Sequence, residues 1–335
     1  MRVASGGHGF SYLSVMMHPV PRLNTRGADP LRGRVRWDAG KSAWFGIHLA
    51  LVAATLALVA LGRLPGVGLG GTLALLALTW TLTLLGHSLG YHRLLMHGNF
   101  RARRWLGRTL LAAGAMLGTA GPRDIVAVHD IRDWAQRAPA CHPYFSQHNG
   151  FLRDIWWQMA CRLDLDAPPA HVFEHEPGGE PWLDDPFARH LDRWWRVWAL
   201  APLVPLALIG GWTFAVLGVS GRILAVNAGH WAVNHVCHDP RREVRGWSVP
   251  GHGVQASDLL AAGPVTGFLA GLLTVGECWH ANHHAFPESA NVGLGRHQFD
   301  PGYAILRLWE RWGWVSHIRA ARDERGDVVA HAPTV

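Results

Sequence analysis

The chain has 335 residues, 49% of them hydrophobic and only 16% charged, which is too apolar and too charge-poor for a water-soluble domain of this length. Its formal charge of +7 comes almost wholly from arginine, with Lys41 the single lysine; beside long apolar spans that charge suits anionic lipid or a phosphate-bearing substrate and argues against nucleic acid. The four cysteines, Cys141, Cys161, Cys237 and Cys278, form no C-x-x-C pair, so neither a disulfide framework nor a zinc ribbon is supported, and a reducing, cytoplasm-facing setting fits.

The first residues, up to Arg26, contain no apolar core ahead of a small-residue cleavage site, so a cleaved signal peptide is not expected. Residues 1–42 read as a cytosolic tail rich in arginine (Arg22, Arg26, Arg32, Arg34, Arg36). Trp44 to Leu61 and Gly68 to Leu85 are each long enough to cross a hydrocarbon core of roughly 30 Å. The short turn Gly62-Arg63-Leu64-Pro65 joins them, giving a first hairpin over 43–86. A polar region, 87–193, follows. A second apolar stretch, from about Trp195 to Val236, is broken near Gly210-Gly211, giving a second hairpin over 194–238, and a cytosolic region, 239–335, closes the chain.

Two further apolar segments, Leu106 to Ala120 and Leu259 to Val275, are richer in Gly and Ala and are flanked or interrupted by Arg103, Arg104, Asp258 or Pro264. They are expected to be interfacial or re-entrant, because a crossing by either would put the histidine clusters on its two sides on opposite faces of the membrane. The expected fold is an all-α membrane protein: four transmembrane helices in two hairpins with a cytosolic helical cap. Arginine is far denser in the tails and in 87–193 than in the two hairpin turns, so the positive-inside rule faces the termini and the histidine-rich regions to the cytoplasm.

The chain holds 22 histidines and 18 tryptophans. Tryptophan collects at membrane interfaces and imidazole at metals. His87, His92 and His97 follow the second span at intervals of five, a spacing that sets successive rings roughly along one flank of a helix. A lone H-x-x-x-x-H is ordinarily a set of polar rings at a membrane boundary. The strongest local signal is Gly276-Glu277-Cys278-Trp279-His280-Ala281-Asn282-His283-His284-Ala285-Phe286-Pro287, in which H-x-x-H-H packs three rings into little more than one helical turn, poor for a core and good for two neighbouring ions. At the inner end of the last span, Asn234 and His238 stand four apart on one face, where an amide can orient water beside a metal-bound ring.

Together, Gly90-Tyr91-His92-Arg93-Leu94-Leu95-Met96-His97, Asn234-x-x-x-His238 and the His280 motif resemble, in order and spacing, the histidine boxes of the membrane fatty acyl desaturases of the stearoyl-CoA desaturase type. The resemblance runs from about Trp44 to Trp312 and includes Phe299-Asp300-Pro301. It implies two irons held by His92, His97, His129, His238, His280, His283 and His284, with Asn234 touching one through water, and a kinked tunnel for the acyl chain. It also implies O2 as co-substrate, electrons from a ferredoxin or cytochrome b5 type donor with its reductase, and a cis double bond as product. The fatty acyl substrate is carried on CoA, another acyl carrier or a lipid. A diiron hydroxylase or fatty acid decarboxylase is the alternative within the same chemistry, and a non-catalytic metal-binding membrane protein the alternative outside it.

The chain departs from that pattern in two places. The middle box, H-x-x-H-H in the family, reads His129-Asp130-Ile131-Arg132-Asp133; Asp133 has oxygen that suits iron, whereas the guanidinium of Arg132 stays protonated. His87, His142, His148 or His235 are candidates to complete the shell. The family's head-group motif ahead of that box is replaced by Ile125-Val126-Ala127-Val128, leaving Arg101, Arg103, Arg104 and Arg123 to meet a phosphate. The His171-Val-Phe-Glu174-His175 match to inverted zinc peptidases runs into Glu176-Pro177-Gly178-Gly179, which is no place for the helix that chemistry needs.

Overall fold

A computed structural model describes residues 32–137, 142–145, 149–166, 182–238, 257–260 and 263–321, with the side chains of 133–137 outside the description. Cys141, His148 and the His171–His175 motif lie outside the described residues. The fold is mostly helical. Among the described residues, three helices are long and apolar enough to cross a membrane: Ala39–Ala60 (α1), Gly68–Met96, and a continuous run over Pro186–Cys237.

Each boundary has a local cause. The carboxylate of Asp38 accepts from the Lys41 N–H at 2.8 Å and caps α1. The third run begins at Pro186, after Asp185 accepts from the Phe187 N–H at 2.8 Å. It contains α6 (Pro186–Leu200), α7 (Leu203–Val216), a π-helical turn (Leu217–Gly221) and α8 (Arg222–Cys237). Within it Gly211 takes φ +74°, a conformation open to glycine and costly to other residues, and it interrupts the helix at the break expected from the sequence.

The second run changes character halfway. Gly68–Leu82 (α2) is α-helical, and Thr83–Met96 is π-helical. In an α-helix five residues turn about 140° beyond one full turn, which would scatter His87, His92 and His97. In a π-helix, with i→i+5 bonds such as His97 N–H to His92 O at 3.1 Å, residues five apart stack on one side. The common flank inferred from the spacing therefore depends on a helix type that the spacing does not announce.

This π-helical stretch is the centre of the buried structure. It packs on α3 (Arg104–Met116) so closely that a Cβ on Gly90 would lie 2.6 Å from the Leu110 carbonyl oxygen. α3 buries Leu106, Leu110, Leu111 and Ala115. It overlaps the Leu106–Ala120 segment, and with 13 residues it is too short to span a bilayer. The same holds for α9 (Pro264–Leu273), which exposes Val265, Phe268, Leu269 and Leu273 while the Trp80 indole N–H donates to the Leu272 carbonyl at 2.6 Å.

The all-α expectation needs one correction. Two small antiparallel ribbons are present: β1 (Gly33–Trp37) with β3 (Cys161–Leu165), and β2 (Arg101–Ala102) with β4 (Val315–Ser316). β1 runs straight into α1, so the ribbon fixes the entry of the first apolar helix against the polar part of the molecule. Helices α4 (Pro122–Arg137), α5 (Phe151–Ala160), α10 (His280–Ala285) and α11 (Pro301–Arg311) complete that part.

Candidate metal centre

Four segments deliver imidazoles to one place: the π-helical stretch, α4, the end of α8, and α10. His92, His97, His129 and His283 offer ring nitrogens that all lie within 4.8 Å of one another. Among them, His92 Nε2 and His283 Nε2 are 3.1 Å apart. His238, His280 and His284 form a second group within the same limit. There His280 Nε2 stands 2.9 Å from His238 Nε2 and 3.0 Å from His284 Nε2.

The short helix α10 supplies both groups because of its pitch. His280 and His284, four apart, share a face, whereas His283 is rotated about 100° from His284 and points to the other group. The rings of His283 and His284 are 5.3 Å apart, so the two groups are neighbours.

These residues fit metal better than one another. A single proton on His280 Nε2 serves only one of its two neighbouring nitrogens well, whereas a cation among the three is held by all of them. An imidazole set of this kind suits iron, zinc, copper or nickel. Burial, and the nearby rings of His92, His280 and His129, push the pKa of His283 well below its ordinary value, which keeps it in the neutral form that binds metal.

The residues between the ligands hold them in place. The Ala281 N–H donates to Asp258 Oδ1 at 3.0 Å, and Gln298 Nε2 donates to Asp258 Oδ2 at 2.9 Å. Asn282 Nδ2 donates to Gln298 Oε1 at 2.6 Å and to the Val292 carbonyl at 2.8 Å. Trp279, fully buried, donates its indole N–H to the Phe299 carbonyl at 2.9 Å. Of this frame, Gln298 and Val292 stand outside every motif and segment boundary named from the sequence; Asp258, Trp279, Ala281, Asn282 and Phe299 stand in or beside such segments with no role attached to them.

A cavity of about 570 Å³ opens on the histidines and extends to Trp44, Phe45, Trp195 and Arg196. Its wall is mostly apolar, with charged side chains of both signs along it: Lys41, Arg132, Arg162 and Arg196, and Asp38, Asp124, Asp154, Asp164 and Glu277.

Comparison with known proteins agrees with this geometry. No protein-family model matches the chain. It is 28% identical over 247 residues, 73% of its length and 83% of the relative's, to the sn-1 stearoyl-lipid 9-desaturase of Anabaena variabilis. It is 27% identical over 245 residues, 73% of its length and 80% of the relative's, to the sn-2 palmitoyl-lipid 9-desaturase of Nostoc sp. (strain 36). Against the acyl-CoA 5-desaturase AL21 of Anemone leveillei the figures are 27% over 238 residues, covering 70% of this chain and 67% of that one. These relatives support a place for the chain in the fatty acid desaturase family.

The names of these relatives support an oxidoreductase of lipid metabolism, the apolar helices fit a membrane, and the histidine cluster is compatible with a histidine-box metal site. All seven histidines singled out from the sequence fall in the two groups. Asn234 lines the cavity one turn before His238 and donates to the His230 carbonyl at 3.0 Å. The guanidinium of Arg132 donates to Gln158 Oε1 at 2.9 Å and lies over the Phe145 ring. The side chain of Asp133 lies outside the described residues.

Of the candidates to complete the shell, His235 is engaged by Asp154 at 2.8 Å, and His142 Nδ1 accepts from the Tyr144 N–H at 3.1 Å. His87 does reach the centre, lying with Glu277 beside His92. The arginines considered for a head group are placed elsewhere. Arg101 sits exposed on β2, Arg104 pairs with Asp185 at 3.2 Å, and Arg123 pairs with Asp192 at 3.3 Å; none of the three lines the cavity. Arg103, also considered, donates to the Gly313 carbonyl at 2.7 Å and is likewise absent from the cavity wall.

Proposed function

We propose that this protein uses O2 to place a cis double bond in a long fatty acyl chain at a centre of two irons. The carrying observation is the convergence of seven imidazoles from four segments on two adjacent points at one end of a 570 Å³ cavity. His92, His97, His129 and His283 hold one iron; His238, His280 and His284 hold the other, with Asn234 ordering a water beside it. Asp133 is the carboxylate ligand that takes over part of the middle motif's task.

Bound irons supply the oxygen activation and hydrogen removal that side chains lack. The chain's own residues fix geometry. The apolar cavity excludes water and holds the acyl chain so that one pair of carbons reaches the histidine end. Two hydrogens leave the acyl chain, O2 is reduced to two waters, and two electrons and two protons enter; the electrons come from a ferredoxin or cytochrome b5 type donor. The substrate is an acyl lipid or acyl-CoA, in keeping with the names of the relatives.

In this reading the Pro186–Cys237 run contributes two crossings that reverse at Gly211, making four spans in two hairpins. The regions 1–42, 87–193 and 239–335 face the cytoplasm with the metal centre. Expression in a host lacking its own desaturase, followed by lipid analysis of wild type and His284→Ala, tests the activity. A new unsaturated acyl species in wild type alone is expected; identical saturated profiles from both would overturn desaturation of that lipid pool.

A further inference from the structure

A third set of donors adjoins the centre and belongs to neither histidine group. His87 and Glu277 place ligand atoms within 4.8 Å of His92 and of each other. The ring of His230, from α8, lies 3.8 Å from that of His87. The three side chains come from three separate segments and all line the same cavity.

Their polar atoms are not accounted for by one another. His230 Nε2 and Glu277 Oε1 are buried and meet no hydrogen-bond partner among the described residues. Glu277 Oε2 is 3.4 Å from His92 Nδ1, so one carboxylate oxygen faces the centre while the other faces away from that contact. Arg93, the nearby fixed cation, is already paired with Asp300 at 3.0 Å. A buried carboxylate with an unsatisfied oxygen beside two buried imidazoles is costly unless something positive joins them.

We propose that His87, His230 and Glu277 form a third metal seat, for a divalent first-row transition metal, next to the two histidine groups. Two imidazole nitrogens and a carboxylate oxygen make a mixed set that such ions favour, with room on the cavity side for water. Glu277 connects the seat to the main centre: Oε2 lies 3.4 Å from the outer nitrogen of the His92 ring, and Oε1 is left for the third ion. Carboxylates of this kind commonly orient a metal-bound imidazole. The inference rests on the two-iron reading only for the expected total.

Metal per chain, measured by mass spectrometry on full-length detergent-purified protein loaded anaerobically with Fe(II), tests it. Wild type is expected to hold three ions and the His87→Asn/His230→Asn double variant two. Glu277→Gln, close in size to the native side chain, is also expected to hold two, and it stands in if the double variant misfolds by circular dichroism. Two ions in wild type and no loss in either variant overturns the seat while leaving the two-iron reading intact. One ion in wild type, lost in Glu277→Gln and kept in His284→Ala, supports the seat and overturns the two-iron reading.

Discussion

Arg93 Nη2 lies 3.0 Å from Asp300 Oδ1, with the two side chains only 1% and 2% exposed. The pair joins the π-helical stretch to the loop leading into α11. Asp300 also caps that helix through the Tyr303 N–H at 3.0 Å and accepts from the Val292 N–H at 2.9 Å. Since Val292 in turn accepts from Asn282 between the ligands, the pair ties the first histidine motif to the last.

Asp300→Ala leaves a buried guanidinium uncompensated and removes a helix cap. The expected loss is roughly 3–5 kcal/mol, the range for breaking a buried pair. Unfolding in detergent measures it. Stability within about 1 kcal/mol of wild type would mean the pair is not what joins the two motifs.

The contact between the π-helical stretch and α3 predicts a steric effect. Gly90→Ala sets a methyl 2.6 Å from the Leu110 carbonyl oxygen, and backbone on both sides leaves little room to yield. Destabilisation of about 1–3 kcal/mol or more is expected, with reduced metal retention because His92 shifts with its helix. An unchanged melting temperature and metal content would show that α3 moves away freely.

Arg132 and His284 make a contrasting pair. Arg132→Ala is expected to leave metal content unchanged, because its guanidinium is spent on Gln158 and Phe145. His284→Ala is expected to lower it by about one ion per chain, because only two other histidines complete its group. Metal analysis of the two variants side by side checks this. Asp133→Ala extends the test, and full iron content there would remove Asp133 from the shell.

Burial pushes the carboxyl of Asp258 up to about 7, against the hydrogen bonds from Ala281 and Gln298 that favour its charge. A carboxyl with a raised folded-state pKa favours the folded state fully below its unfolded value near 4, and this contribution fades as pH rises through about 7. Wild type is therefore expected to lose stability relative to Asp258→Asn between roughly pH 4 and 7. Melting curves of both proteins across that range decide it; parallel profiles would show that Asp258 titrates normally.

Part of the histidine cluster was legible because motif spacing places it locally. His280, His283 and His284 fall within one short helix, and His92 and His97 within one stretch. What the sequence concealed depends on contacts between distant segments. Gly33–Trp37 pairs with Cys161–Leu165 across more than a hundred residues; both segments alternate polar and apolar residues (Arg34, Val35, Arg36, Trp37 and Arg162, Leu163, Asp164, Leu165), but nothing local tells that the two short runs are partners. His230 belongs to no motif, and Glu277 sat inside one without a role, because only the packing of α8 against the π-helical stretch gives them a common neighbour. The sequence reads the third apolar run as two spans from Gly210-Gly211, and the helical backbone is interrupted at Gly211.

The π-helical stretch makes ligand geometry a matter of counting. Its wide turns seat His87, His92 and His97 above one another only while each hydrogen bond skips five residues. Were the segment to tighten to an α-helix, the three rings would fan apart by about 140° at each step. An ion gripping two of these rings resists that tightening, so metal loading and the winding of the second apolar helix act as one equilibrium, and removing the metal would be felt as a twist along a segment that runs into the membrane.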